Sequence, residues 1–291
     1  MNDSDSLSLA PELATDAAVP RLVPEGAAEA TATAPPRTES RRSFGPLSRR
    51  LADQGLFLFR HRGLFVVFLL PAAALAILER RSAALPADPG LGWFAVCLTV
   101  SLLGMAVRAI AVGSAPPGAS TRSVRGPSAS RLNTTGMYSL SRHPIYLGNL
   151  FVLLGFALAI RSWWFVVTAV LIYWLLYERV IAAEERFLDE RFGVRHRRWT
   201  ERTPTFWPRP GLWTSPETRF SWRTVILREY NSPLLIAATF LFLRIVDQVI
   251  VGRLSAGAWL RQDVALVGSV LGLAVIVSVL RRVRKRGRSG H

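Results

Sequence analysis

Apolar residues in this chain fall into long blocks, and arginine-rich segments separate the blocks. Blocks of that length read as membrane-crossing helices, because one crossing takes about 20 predominantly apolar residues. The pattern predicts an all-α, polytopic membrane helical bundle of about six spans. They run roughly Gly63–Leu78, Leu91–Val112, Tyr146–Ile160, a fourth from Trp163, Pro233–Val251 and Val264–Leu280. The first is short, so Leu56 to Phe59 is expected to extend it along the interface and Pro71 to kink it. Arg108, near the far end of the second, is expected to snorkel to the interface.

The fourth helix outruns its apolar part. That part ends near Tyr177, but nothing breaks the helix before about Arg191, so about three turns project beyond the bilayer at about 1.5 Å per residue. Gly193 stands just past its end, the position glycine favours. Ser114 to Arg131 is a Pro/Gly/Ser/Arg loop, and an Arg/Trp/Pro-rich polar segment with Pro204, Pro208 and Pro210 leads to Ser232. Residues 1–45 are rich in Ala, Pro, Thr, Ser and acid without apolar periodicity, which reads as a disordered acidic tail. The chain then divides into 46–131 (two spans and a loop), 132–210 (a hairpin and polar cap) and 211–291 (a linker, two spans and a basic tail).

Charge supplies an orientation. The formal net charge of +16 rests almost wholly on arginine, Lys285 being the only lysine. Basic segments precede span 1, lie between spans 2 and 3 and between 4 and 5, and follow span 6, which predicts both termini in the cytoplasm and a multi-pass protein of the cell membrane. Arginines that flank apolar spans answer to topology, so no nucleic-acid partner is expected; membrane lipids are the expected surroundings. The N-terminus lacks the basic region of a secretory signal. Cys97 sits within an apolar run and reads as a small core residue, and the four histidines form no ligand-like cluster, so no metal is expected. Arg244 and Asp247, three apart within span 5, read as a self-neutralising pair facing the bundle or as part of a substrate groove.

Two polar clusters carry the candidate chemistry. The first runs from Thr134 to Asn149 and contains Tyr138, Arg142, His143, Pro144, Tyr146 and Gly148; the second is Glu184-Glu185. The turn at Arg161-Ser162 is so short that spans 3 and 4 must be antiparallel neighbours. Folding the hairpin there brings Glu184 and Glu185 level with Ser139 and Tyr138, and puts Glu178 and Glu184 each about one helical turn from Arg142. Pro144 suits a first helical turn, and a helix N-terminus beside Arg142 favours an anion. Glu184 and Glu185 favour a cation or hydroxyl groups, and Gly148 permits close helix approach. Spacing alone leaves two readings open: a site for a charged small molecule beside a lipid-accessible groove, or an interfacial salt-bridge network.

The pattern Gly136-x-Tyr138-x-x-x-Arg142-His143-Pro144-x-Tyr146-x-Gly148-Asn149, followed by Glu184-Glu185-x-x-Leu188-x-x-x-Phe192-Gly193, resembles the isoprenylcysteine carboxyl methyltransferase and phospholipid methyltransferase superfamily. The resemblance covers about Leu132 to Pro208. It implies an integral-membrane methyltransferase that uses S-adenosyl-L-methionine, bound by a cytoplasmic cap. The cofactor residues it implies are Leu132, Asn133, Tyr138, His143, Pro144, Tyr146 and Glu184, with Glu185 completing the acidic pair; Arg142 and Gly148 join them from the charge and spacing argument. Methylation then falls on a lipophilic or lipid-linked carboxylate, amine or thiol.

The chain departs from the family pattern in two places. His196 and Trp199 stand where two tyrosines are common, and Val180 stands where the prenylcysteine enzymes carry an arginine, with Arg179 one residue earlier as the candidate for substrate handling. No catalytic residue follows from the motif itself. Two alternatives stand beside the methyltransferase. A sterol-reductase-like NADPH enzyme shares an Arg-His-Pro stretch, but Ile145 and the glutamate pair speak against it; the other is a non-catalytic membrane protein with a degenerate hairpin.

Overall fold

The computed structural model describes residues 46–61, 65–83, 90–119 and 127–286, and among them the chain is helical throughout, without strands. The acidic tail and the start of the first expected span lie outside the described residues. In chain order the helices are α1 (Pro46–Arg60), α2 (Phe65–Ser82), α3 (Gly90–Gly113), α4 (Met137–Leu140), α5 (Pro144–Ala159) and α6 (Trp163–Phe192). There follow α7 (Val194–Arg202), α8 (Trp222–Glu229), α9 (Ser232–Ile245), α10 (Ala256–Gln262) and α11 (Val264–Arg286). Helix α9 passes without a break into a π-helical turn, Val246–Val251.

Four described helical segments are long and apolar enough to cross a membrane: Gly92–Gly113, Trp163–Phe192, Ser232–Val251 and Val264–Arg282. Helix α5 is apolar but has only 16 residues, and α2 carries Glu79, Arg80 and Arg81 within its 18. Large apolar side chains point outward from these helices, Phe68, Leu235, Leu271 and Val275 among them. A row of such residues suits hydrocarbon surroundings, where helices satisfy their own backbone. The protein is a helical membrane bundle.

The centre of the bundle is α5, which lies against α3 along a seam of small residues. A side chain at Gly148 would bring a Cβ to 2.6 Å from the Gly104 carbonyl, and one at Gly155 would collide with the Cys97 carbonyl and the Ser101 hydroxyl. Small residues let membrane helices approach closely where no hydrophobic effect drives them together. Ser101 adds a hydrogen bond to the Val152 carbonyl, 3.0 Å, and Cys97 is fully buried. Between α5 and α6, Arg161 takes a left-handed φ of 60° to close the expected tight turn. The tyrosines then interlock: the Tyr173 hydroxyl donates to the Tyr146 carbonyl at 2.6 Å, and Tyr173 stacks on Tyr177 at 4.1 Å.

One expectation about charged residues is corrected and a second is enlarged. Arg108 does not snorkel outward. Its guanidinium turns into the bundle, donating to both oxygens of Glu229 on α8 (2.8 and 2.7 Å) and to Asn149 on α5. The pairing of Arg244 with Asp247 is too small a unit. Asp247 takes Arg80 of α2 at 2.7 Å, Arg80 also reaches the Ile160 carbonyl at 3.1 Å, and Arg244 takes Asp263 at 3.2 Å. Buried charges in a low-dielectric interior need partners with good geometry, and these recruit them from other helices.

Candidate functional site

The first cluster is held by a strap. Gly136 sits at φ 60° and donates to the Thr214 carbonyl at 2.9 Å, while the Arg142 amide donates to the Pro204 carbonyl at 2.9 Å and the Arg209 amide to the Leu140 carbonyl at 3.1 Å. The Ser141 hydroxyl adds a bond to the Phe206 carbonyl, 2.8 Å. The proline-rich segment after α7 therefore runs alongside residues 136–142 and satisfies backbone groups that the short α4 leaves open. Pro144 is the first residue of α5, where its missing N–H is no loss. His143 and Arg142 are thereby presented at the helix entrance.

The two clusters meet. The His143 imidazole lies between the glutamates, Nε2 at 3.0 Å from Glu185 Oε1 and Nδ1 at 3.5 Å from Glu184 Oε2. Arg142 Nη1 reaches Glu185 Oε2 at 2.5 Å, its Nη2 reaches the Thr205 hydroxyl, and the Tyr146 hydroxyl donates to Glu184 at 2.9 Å. The hairpin does bring the two clusters together, but the glutamates meet Arg142, His143 and Tyr146 rather than the level of Tyr138 and Ser139, and the arginine's partner is Glu185, neither Glu178 nor Glu184. Consecutive residues on a helix point about 100° apart, and the short α4 offsets Arg142 from the axis of α5, so level alone could not fix the pairing. Burial opposes charge on His143, but the two carboxylates outweigh it and push its pKa up to about 9. Near neutral pH it is an imidazolium that donates to Glu185 and is ion-paired with Glu184.

These groups sit at one end of a cavity of about 840 Å³. Leu132, Asn133, Tyr138, Arg142, His143, Tyr146 and Glu184 line it; Pro144, Gly148 and Glu185 do not. Pro144 sets the start of α5, Gly148 sets its distance from α3, and Glu185 grips Arg142 and His143 from behind. The clusters neutralise one another, as the salt-bridge reading expects, and the Glu184 side chain stays 28% exposed. Arg142 also keeps a buried Nε–H without a hydrogen-bond partner. Burial and the nearby Glu184 push the Tyr138 phenol well above the ordinary tyrosine pKa, so it is a neutral donor. Arg179 lies elsewhere, bonded to Gln54 of α1 and to the Leu175 carbonyl.

The departures from the tyrosine pattern are buried in the cap. Trp199 lines the cavity and donates to the Tyr138 carbonyl at 3.2 Å. His196 is buried with neither ring nitrogen hydrogen-bonded, 3.6 Å from Asp189, and burial pushes its pKa below the ordinary value. Sequence reasoning missed Arg108, Arg228 and Glu229, all of which line the cavity. The signal for Arg108 was present, an ionisable residue within an apolar helix. Nothing local marked α8.

The remainder of the cavity is an apolar gallery running down α5 between α2 and α9. Leu70, Leu235 and Phe242 line it and are also 57, 65 and 60% exposed, so the gallery opens sideways.

Residues 118–195 match the phospholipid methyltransferase family, part of the integral-membrane isoprenylcysteine/phospholipid methyltransferase superfamily. Among curated proteins, the chain is 39% identical over 97 residues to a cobalt-zinc-cadmium resistance protein of Cupriavidus metallidurans. It is 33% identical over 95 residues to a nickel-cobalt-cadmium resistance protein of Alcaligenes xylosoxydans xylosoxydans. Each alignment covers 33% of this chain and 44% of the relative, less than half the relative's length. No solved structure matches.

Proposed function

We propose that this chain is an S-adenosyl-L-methionine-dependent methyltransferase acting on a lipophilic or lipid-linked acceptor at the cytoplasmic face of the cell membrane. The observation that carries the reading is the two-part cavity, with a charged end built by the Arg142-His143 and Glu184-Glu185 clusters and an apolar gallery continuous with it. A volume of about 840 Å³ falls at the upper end of ordinary ligand sites, leaving room for a cofactor and part of a second molecule.

The residues present fit the cofactor. It carries a carboxylate, an ammonium, a sulfonium and a ribose diol, and when bound it supplies an electrophilic methyl group. Arg142, with its buried unpartnered Nε–H, is complementary to the carboxylate. Glu184 is complementary to the cation or the diol, with Asn133 and the neutral Tyr138 as further polar contacts and Leu132 and Tyr146 as walls. His143 and Tyr146 keep Glu184 in place, Arg142 and Glu185 brace His143, and the strap of residues 204–216 fixes the backbone that carries Arg142.

Incubating membranes that contain the protein with methyl-labelled cofactor tests this directly. Label in an extractable lipophilic product, absent from membranes carrying Glu184→Ala, is the expected result. Label in no product, with NADPH consumed instead, would move the chain to the reductase reading. Retained membrane insertion with neither activity would leave a non-catalytic protein. The relatives' names add a physiological setting, and loss of the gene is expected to lower growth on cobalt, zinc or cadmium if methylation serves metal tolerance here.

A further inference from the structure

Helix α8 is pinned at both ends to the ends of membrane spans. At its start the Ser221 amide donates to the Gly113 carbonyl at 2.9 Å, the Thr218 hydroxyl donates to the Ser114 carbonyl at 2.9 Å, and the Phe220 ring packs on Gly113. At its end Glu229 holds Arg108 and accepts from the Ser232 hydroxyl at the start of α9, 2.7 Å. Arg108 lies about 7.5 Å inside Gly113 along α3, at about 1.5 Å per residue. Helix α8 therefore descends from the mouth of the bundle toward the level of the hydrocarbon.

Its two faces differ. Val225 and Glu229 are buried against the bundle, whereas Trp222, Ile226 and Leu227 are 70, 47 and 42% exposed. Phe220 meets Trp222 edge to face at 4.9 Å, and Arg219 and Arg223 stand exposed at the same end. Arginine and tryptophan thus come at the upper end of the descent and isoleucine and leucine below them, the order of a headgroup layer over hydrocarbon. From Thr218 to Arg228 the sequence holds no acid. The acids on either side are engaged elsewhere, Glu217 by Arg131 and Glu229 by Arg108. Among the described residues, neither Arg219 nor Arg223 has a side-chain hydrogen bond or ion pair. Exposed arginines without acids, set over exposed apolar side chains at a membrane boundary, call for an anion that carries its own hydrocarbon.

We propose that residues 219–227 bind one anionic phospholipid on the outside of the bundle, with Arg219 and Arg223 on its headgroup and Trp222, Ile226 and Leu227 against its chains. A surface arginine brings about fivefold in affinity for anionic lipid, so the pair favours an anionic over a zwitterionic head by about 25-fold. None of these residues lines the cavity, and the site stands whether or not the cavity takes the cofactor. It occupies the outer face of the helix whose inner face holds Arg108, so the lipid steadies the cavity wall from outside.

Delipidated full-length protein in detergent, titrated with phosphatidylglycerol or phosphatidylcholine and followed by native mass spectrometry and thermal unfolding, tests the proposal. The expected result is one tightly retained phosphatidylglycerol and an unfolding temperature raised by about 5 °C, with phosphatidylcholine weaker by about tenfold or more. Glycerophosphoglycerol, the same head without chains, should give neither effect. Arg219→Gln with Arg223→Gln should lose both effects yet unfold like the wild type in phosphatidylcholine, while Arg219→Lys with Arg223→Lys keeps them. Arg195→Gln with Arg198→Gln, which removes the same charge from α7, should also keep them. Equal retention of the two lipids, an effect reproduced by the chain-free head, a phosphatidylglycerol effect that survives the glutamine pair on α8, or an equal loss in the α7 pair overturns the site.

Discussion

His143 is the residue on which the site's charge turns. It is buried between Glu184 and Glu185, with Arg142 and Tyr146 bonded to the same acids and His196 beyond Glu185. Its pKa lies at about 9, above the ordinary 6.5. A group whose pKa is raised by folding contributes fully below its unfolded value and loses that contribution as pH rises through its folded value. The expected outcome is a fall in thermal stability in detergent between pH 7 and 10 that His143→Gln flattens. For Glu184→Gln, loss of a charged hydrogen-bond acceptor is worth about 1.5–3 kcal/mol, or roughly 10- to 100-fold in cofactor affinity by titration. Both residues were legible in the sequence, because a polar run at the start of an apolar block needs a reason to be there. The pairing was not, since which carboxylate an arginine meets depends on helix phase and on the four-residue α4. Arg108 was misread because snorkelling and inward pairing look alike in a sequence; only the position of Glu229, 121 residues later, separates them.

Among the elements, α5 sets the geometry. Its place is fixed by Gly148 and Gly155 against α3 and by the Arg161 turn against α6. In Gly148→Val the new Cβ meets backbone at Gly104 and the stem of Arg108. Overpacking of this kind costs about 1–3 kcal/mol, seen as a lower unfolding temperature, and it should also displace Arg108 from Glu229. At the other end of the bundle, Asp247→Ala leaves Arg80 buried beside the Ile160 carbonyl without its acid. Breaking a buried pair on one side costs about 3–5 kcal/mol. Arg80→Leu combined with Asp247→Leu should cost much less than Asp247→Ala, measured by the same unfolding assay. The helices themselves were legible from block length, and α3, α5, α6, α9 and α11 fall within a few residues of the expected spans. The strap after α7 was not. Its role is to meet backbone groups of residues 136–142, and backbone pairing between irregular segments leaves no periodicity to read.

On the scale of the whole molecule, the hairpin turn forces α5 to run antiparallel to α6, which is long enough to cross. Both termini on one side of the membrane then requires α2 to cross as well, despite Glu79, Arg80 and Arg81 in its last turns. Reporter fusions at both ends are expected to report the cytoplasm, as the arginine distribution implies. Termini on opposite sides would leave α2 at the interface. The bundle divides its labour: the matched hairpin builds the charged end of the cavity, and α8 and α9 close it from outside that segment. On the proposed reading the charged end is a cofactor site and not a salt-bridge network alone. Equilibrium binding of methyl-labelled S-adenosylmethionine to the purified protein, beside NADPH, tests it most directly. Saturable binding of the labelled cofactor, abolished by Glu184→Ala and weakened by His143→Ala, is expected; tight NADPH binding, or cofactor binding that ignores both substitutions, would contradict it.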